Sequence, residues 1–497
     1  MSEMPTVRGE IATIARDARA TLLPGFEGTT LPGWLAARLR DGLGGVCLFR
    51  TNVESRAQLR ELTDAIRAAN PLAVIAIDEE GGDVTRLYQA LGSPYPGNAI
   101  LGRIDDESYT EFVAATVGWE LRNAGVTVDF APDVDINSNE NNPVIGVRSF
   151  GAEPAEVARH SAAWVRGLEA TGIAASAKHF PGHGDTAQDS HLALPVVDVP
   201  LETLRERELL PFVAAIGAGV RTIMSSHILL PQLDADNPAT FSSTILQELL
   251  RDDLGFHGVI VSDALDMAGA SGEIGIPEAA VRAIAAGCDL LCIGTKNTED
   301  QLAEIEATIV AAIEAGRLST DRLADAAARV RALAVGLETD RRDIPIPEYA
   351  LTGAEPVFDP YRTLAAFDIR PGLTVPVDRI LVKLQTAANI AVGDAPWGDG
   401  SQAPAAITVR SGEAIELPPG VTPVVIGRDN HRHDWVRAAI DDLRARHPQT
   451  VVVDMGWPAA DRRYADVATF GASRHAADTL LVWLDAAAND TTKEETR

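Results

Sequence analysis

Ala175-Ser176-Ala177-Lys178-His179-Phe180-Pro181-Gly182-His183-Gly184-Asp185-Thr186, continuing to Asp189-Ser190-His191, runs from a small apolar stretch into a loop broken by glycine and proline. An apolar run bounded in this way reads as a buried strand with a loop at its C-terminal end. From Lys178 to His191 that loop holds three histidines, two aspartates and one lysine. Burying so many titratable groups is costly unless they are paired. Their density points to chemistry rather than scaffolding. Asp189 and His191 stand two residues apart, close enough for the carboxylate to orient the imidazole as a general acid/base.

Outward from this strand, short apolar runs alternate with amphipathic stretches as far as residue ~340. The strand candidates are Gly45–Phe49, Leu72–Ile77, Val126–Phe130, Ala175–Phe180, Thr222–His227, Val259–Ser262 and Leu290–Ile293. Helical patterns cover Ala57–Ala69, Tyr109–Ala124, Pro154–Thr171, Leu201–Ala218 and Ser243–Asp253. Strands spaced by helices imply βαβ units and a parallel sheet, and their number favours a (β/α)8 TIM-type barrel. One or two strands near the N-terminus are hard to place, so an irregular barrel is expected. Several candidate strands end in polar residues: Asp78-Glu79-Glu80, Asp133, Lys178-His179, Ser225-Ser226-His227 and Ser262-Asp263. In a barrel, strand C-termini converge on the working face. One such end can be a helix N-cap, but five together are hard to explain by capping.

The stretch 341–361 is polar and proline-rich and reads as a linker between a catalytic barrel, residues 1–340, and a smaller α/β sandwich domain, residues 362–497. In the latter, Ile380–Leu384, Val424–Ile426, Thr450–Asp454 and Thr479–Trp483 read as buried strands, with a helix over Asp434–Arg446.

The chain has 497 residues, is 46% hydrophobic and 23% charged, and so has the composition of a globular protein. The net charge is −28, of which residues before Tyr361 carry −25. Such a surface repels nucleic acid and anionic membranes. No apolar run approaches the ~20 residues of a membrane helix. Met1–Arg16 carries charges and no long apolar core, so no secretory signal is expected and a cytoplasmic location is. The three cysteines, Cys47, Cys288 and Cys292, sit in apolar runs and read as core residues. His179, His183, His191, Asp185 and Asp189 are potential ligands, but their spacing fits no zinc or iron pattern, so neither a metal nor another cofactor is expected.

Three further segments stand out. Val259-Ile260-Val261-Ser262-Asp263-Ala264-Leu265-Asp266-Met267 places Asp263 at the end of a β-branched strand, as a nucleophile, a metal ligand or a helix cap. Asp78-Glu79-Glu80-Gly81-Gly82-Asp83-Val84-Thr85-Arg86 offers a carboxylate for sugar hydroxyls beside a tight turn, or a metal site, or simply a solvated turn. Gly146-Val147-Arg148-Ser149-Phe150 carries an arginine in a glycine-containing loop.

Together these segments resemble glycoside hydrolase family 3, and within it the bacterial β-N-acetylglucosaminidases. The resemblance rests on Lys178–Thr186 with Asp189–His191, on Asp78–Arg86, on Arg148–Phe150 and on Ser262–Met267, and covers roughly residues 10–340. It implies that Asp263 is the nucleophile and that His191, oriented by Asp189, is the acid/base. Asp78, Arg86, Arg148, Lys178 and His179 would hold the sugar. The Asp-Ser-His dyad favours N-acetylglucosamine over glucose. The implied activity is retaining, exo-acting removal of terminal β-linked N-acetylglucosamine from small carbohydrates, such as muropeptides or chito-oligosaccharides in cell-wall recycling.

A histidine base is neutral when the acceptor arrives, so inorganic phosphate is an alternative to water and phosphorolysis an alternative to hydrolysis. A catalytically inactive carbohydrate-binding barrel is the alternative from another class; it would be expected to lack Asp263, Asp189 or His191, and all three are present. Beyond the linker, Arg428–Asp434 reads as a surface loop with Asp434 as N-cap, or as a loop that shapes the acceptor site from the barrel mouth or an oligomer interface. Trp397 and Trp457 lie in loops where they could stack on sugar, whereas Trp34, Trp119 and Trp164 read as core.

Overall fold

The structure is a computed structural model that describes residues 4–186, 188, 194–386, 390–393, 395–398, 400 and 407–495. Two compact units divide the chain. The first comprises Met1–Glu79, Glu107–Ile136 and Glu153–Ala354, and the second Glu80–Asp106, Asn137–Ala152 and Glu355–Arg497.

Eight parallel strands build the first unit: β1 (Leu22–Pro24), β2 (Gly45–Leu48), β3 (Val74–Ile77), β4 (Val128–Asp129), β5 (Ala174–Phe180), β6 (Thr222–Ser225), β7 (Val259–Ser262) and β8 (Leu290–Gly294). Their order is β1-β8-β7-β6-β5-β4-β3-β2, and β1 approaches β2, so the sheet is nearly closed. One apolar cluster draws on all eight strands through Leu23, Cys47, Val74, Ala76, Val128, Ala174, Met224, Val259, Val261, Leu290 and Cys292. Side chains from every strand of a closing sheet can meet only inside it, so this cluster is the barrel's filled interior. Leu333 and Leu337, from the helix Thr320–Asp343, pack against it.

The strand missing from the sequence reading is β1. Three residues, Leu22-Leu23-Pro24, directly after the helix Met4–Ala20, give no periodicity to detect. The helix expected over Leu201–Ala218 is two helices, Leu201–Glu206 and Leu210–Gly217. Pro211 has no N–H to bond the carbonyl of Arg207 and would clash with it, so one helix cannot run through.

In the second unit, β9 (Asp368–Ile369), β10 (Arg379–Leu384), β11 (Ile407–Val409), β12 (Thr422–Gly427), β13 (Val451–Asp454) and β14 (Val467–Ala468) form a sheet ordered β11-β10-β12-β13-β14-β9. Only β9 is antiparallel. Val424, Ile426, Val451 and Val453 join one core, while Val425 and Val452 join another with Val436, Ile440 and Leu443. Both faces are therefore covered, as in an α/β sandwich. Thr479–Trp483, expected as a strand, lies within the helix Arg474–Glu495. The residues that pack are Ala476, Ala477, Leu480, Leu484 and Ala488, a helical spacing that the local Leu-Leu-Val-Trp run conceals. The helix over Asp434–Arg446 forms as expected, but His433 rather than Asp434 holds the N-cap position.

Candidate active site

β3 to β7 are parallel neighbours, so their C-terminal ends share one face of the barrel. Asp78 follows β3, Asp133 and Asp135 follow β4, Lys178 and His179 lie near the end of β5, His227 follows β6, and Asp263 follows β7. The polar strand ends thus gather at one rim.

Pairing between β5 and β6 shifts at this point. Ala177 faces Ile223 and Phe180 faces Ser225, which places an extra residue in β5. Such a bulge re-aims side chains at a barrel rim, here those of Lys178 and His179. The buried Lys178 ammonium donates to Asp78 at 2.8 Å. The lysine therefore enters the rim with its charge paired, and Asp78 stays only partly shielded.

Asp135 is the hub of the neighbouring network. His179 Nδ1 lies 2.7 Å from its carboxylate, and the backbone N–H of His183 donates to it at 2.6 Å. Burial raises its pKa, but its interactions with His179 and His183 outweigh this and leave it below the ordinary aspartate value. His183, fully buried, falls to about 4 because burial outweighs the charge of Asp135. It is a neutral ring at physiological pH, with Nδ1 2.7 Å from the Thr186 hydroxyl. Asp263 also acts on His183, which ties the end of β7 to the same cluster. Inside the rim, burial drives Asp129 well above its ordinary pKa.

Two glycines let the loop close on its neighbours. A Cβ on Gly184 would come within 1.6 Å of the Ile136 carbonyl oxygen, so no side chain fits there. Gly182 has φ +128° and lies against the Glu208 side chain. Buried Glu208 pairs with Arg207 at 2.6 Å, and Arg207 donates to Asp185 of the loop at 2.6 Å. Burial lifts the Glu208 carboxyl to about 7 against the pull of Arg207.

Asp78, Lys178, His179 and Asp263 therefore lie at the rim of the first unit. Arg86 and Arg148 belong to the second unit. There Arg148 makes a buried two-point pair with Glu80, and Arg86 donates to the Ala391 carbonyl at 3.1 Å. Asp189 and His191 lie outside the described residues. Asp135 and Glu80 join these pairs with only a faint signal in the sequence: Asp135 shares the odd-numbered face with Asp129 and Asp133 past a strand end, and Glu80 is one of three consecutive acids.

Among the described residues, Asp133, Asp135 and His179 form the cluster with metal-ligand geometry, their ligand atoms within 4.8 Å of one another. Asp135 also accepts from His179 and His183, so the same residues form a carboxylate–imidazole network. Trp397, expected as a possible sugar platform, is buried beneath the cations of Lys383 and Arg428. Trp457 stacks edge-on with Phe470. Trp164 is fully buried, as expected, whereas Trp34 and Trp119 are half-buried. The three cysteines are buried.

A parallel barrel with paired acids and bases at its strand ends defines a barrel enzyme. The model of the glycosyl hydrolase family 3 N-terminal domain matches residues 36–333. The chain belongs to glycosyl hydrolase family 3. It is 37% identical over 370 residues to a beta-hexosaminidase A of Pseudoalteromonas piscicida, a match covering 69% of this chain and 61% of that protein. A beta-hexosaminidase of Neisseria meningitidis is 42% identical over 52% of this chain and 73% of its own length. Among solved structures, a family 3 β-N-acetylglucosaminidase from Paenibacillus sp. is 27% identical with a TM-score of 0.80, covering 95% of this chain and 96% of its own. No helix among the described residues is long and apolar enough to cross a membrane.

Proposed function

We propose that this protein is a retaining, exo-acting β-N-acetylglucosaminidase. The observation that carries the reading is the placement of Asp263 at the end of β7, on the same rim as the Lys178–Asp78 and His179–Asp135 pairs. The names of the relatives support the substrate class.

The Asp263 carboxylate attacks the anomeric carbon as the glycosidic C–O bond breaks, and the leaving oxygen takes a proton from protonated His191. Now neutral, His191 removes a proton from water. The water oxygen attacks the same carbon, the ester to Asp263 breaks, and N-acetylglucosamine leaves with its β-configuration kept. Asp189 orients the imidazole. Asp78, Lys178 and His179 hold sugar hydroxyls, with Arg86 and Arg148 as further binding residues. The substrates are terminal β-N-acetylglucosaminides of recycled wall fragments or chito-oligosaccharides, handled in the cytoplasm.

The test is turnover of 4-nitrophenyl N-acetyl-β-glucosaminide with and without phosphate, with the sugar product identified. Free N-acetylglucosamine in both buffers is expected. A sugar 1-phosphate, or turnover only of the glucoside, would overturn the reading.

A further inference from the structure

His227 is fully buried and follows β6, directly beside the strand that carries Asp263. Thr222, Ile223 and Met224 pair with Val259, Ile260 and Val261. Continued past the strand ends, this register sets His227 opposite Ala264, the residue after Asp263. The ring uses it: Nε2 lies 3.0 Å from the Ala264 carbonyl oxygen. A carbonyl oxygen only accepts, so Nε2 carries the proton. Nδ1 lies 3.0 Å from the Thr240 hydroxyl, which fixes the ring's orientation from the other side. Thr240 in turn accepts from the Ser225 hydroxyl, and its backbone N–H donates to the Ser226 carbonyl at 3.1 Å.

The Ala264 carbonyl has a second donor. The backbone N–H of Met267 bonds it at 3.1 Å and closes the turn that follows Asp263. Asp263 itself accepts from the Ala264 N–H at 2.7 Å. Both peptide groups of Ala264 are thereby committed, one to the carboxylate and one to His227. Rotation of the Asp263–Ala264 turn would break the His227 bond inside a buried site, where an unmade hydrogen bond is expensive.

We propose that His227 is the positioning residue of the nucleophile: its Nε2–H holds the Ala264 carbonyl and so fixes the turn from which the Asp263 carboxylate reaches the anomeric carbon. This rests on the reading of Asp263 as nucleophile. The sequence shows His227 only as one polar strand end among five, and the sugar-binding set leaves it unused.

The test uses the intact chain and a 5-fluoro-N-acetylglucosaminyl fluoride, which reports attack by the nucleophile alone by trapping the covalent ester. His227→Gln places an amide N–H near the Nε2 position; His227→Asn places it near Nδ1, out of reach of Ala264. Both keep a polar side chain in the site. The Asn variant should be labelled roughly 10²-fold more slowly than wild type, the cost of displacing a reacting group by about 1 Å. The inactivator's binding constant should stay within about threefold, since ground-state binding does not use the turn. The Gln variant should recover most of the rate. A purely structural role would instead lower thermal stability in both variants without separating rate from binding. Equal labelling rates in the two variants, with the label on Asp263, overturn this inference alone. A wild-type label elsewhere than Asp263 overturns the proposed function and this inference with it.

Discussion

Arg148 and Glu80 meet through two parallel bonds, Nε to Oε2 at 2.9 Å and Nη2 to Oε1 at 2.7 Å, with both side chains at most 4% exposed. The arginine's remaining Nη1 donates to the Val144 carbonyl, and Asn98 donates to its own carbonyl. Planar guanidinium matches carboxylate in this geometry, and lysine would not. Glu80 therefore sets where the guanidinium of a proposed sugar-binding arginine points.

Removing Glu80 would leave a buried guanidinium without its carboxylate. Breaking one side of such a pair costs about 3–5 kcal/mol. Glu80→Ala is expected to lower the urea midpoint of the second unit and to raise KM for the N-acetylglucosaminide. Unchanged stability in the variant would mean that Arg148 finds another anion.

Asp135 is expected to behave as a site residue although it is not in the proposed sugar-binding set. It accepts from the rings or backbones of His179 and His183, which stand on opposite sides of the Phe180–Pro181 step. Asp135→Ala leaves several buried donors unpaired, at about 1–3 kcal/mol each. It also releases His179. Activity should fall on the order of 10²-fold, with Asp135→Asn intermediate because the amide oxygen still accepts. Steady-state kinetics of the pair decide this: a wild-type kcat/KM in the Ala variant would remove Asp135 from the site.

Much of this was legible in the residues. Val259–Ser262 and the helix Asp434–Arg446 match what their residues predict because the first is a β-branched apolar run closed by a serine and the second has a clean 3.6-residue period. The barrel followed from repetition, which tolerates one unseen strand. What stayed hidden was non-local. Nothing near Glu80 announces Arg148 68 positions on, and nothing near Asp135 announces His179 44 positions on. The segments Glu80–Asp106 and Asn137–Ala152 group with the C-terminal residues, although local composition gives no hint of it. Thr479–Trp483 misled because β-branched and aromatic residues lie in a helix whose spacing shows only over several turns.

Glu208 makes stability depend on pH in a defined direction. Its pKa is about 7 in the folded protein, against an ordinary glutamate value of 4.5. The folded state then holds a proton that the unfolded state has lost between those values, so stability falls as pH rises from about 5 to 8. Glu208→Gln mimics the protonated form and cannot ionise. Relative to wild type, the variant should gain on the order of 2 kcal/mol over that interval, at about 1.4 kcal/mol per pKa unit. Urea denaturation of both proteins at pH 5 and pH 8 measures the difference directly. A constant offset would show that Arg207 already compensates the ionised carboxylate.

Asp263 and His191 should separate by leaving group. If Asp263 is the nucleophile proposed above, its removal leaves no covalent ester to form, so Asp263→Ala should lose at least about 10⁴-fold for every substrate, whatever departs. In the proposed mechanism His191 gives a proton to the departing oxygen, and that help matters only when the oxygen is a poor leaving group. His191→Ala and Asp189→Ala should therefore cost on the order of 10²–10⁴-fold with an N-acetylglucosamine disaccharide. With 4-nitrophenol departing, the first step should be far less affected. Pre-steady-state release of 4-nitrophenol isolates that step, while disaccharide turnover reports the proton-dependent one. Equal losses on both substrates would place His191 in sugar binding rather than proton transfer, because a binding contact is indifferent to what leaves.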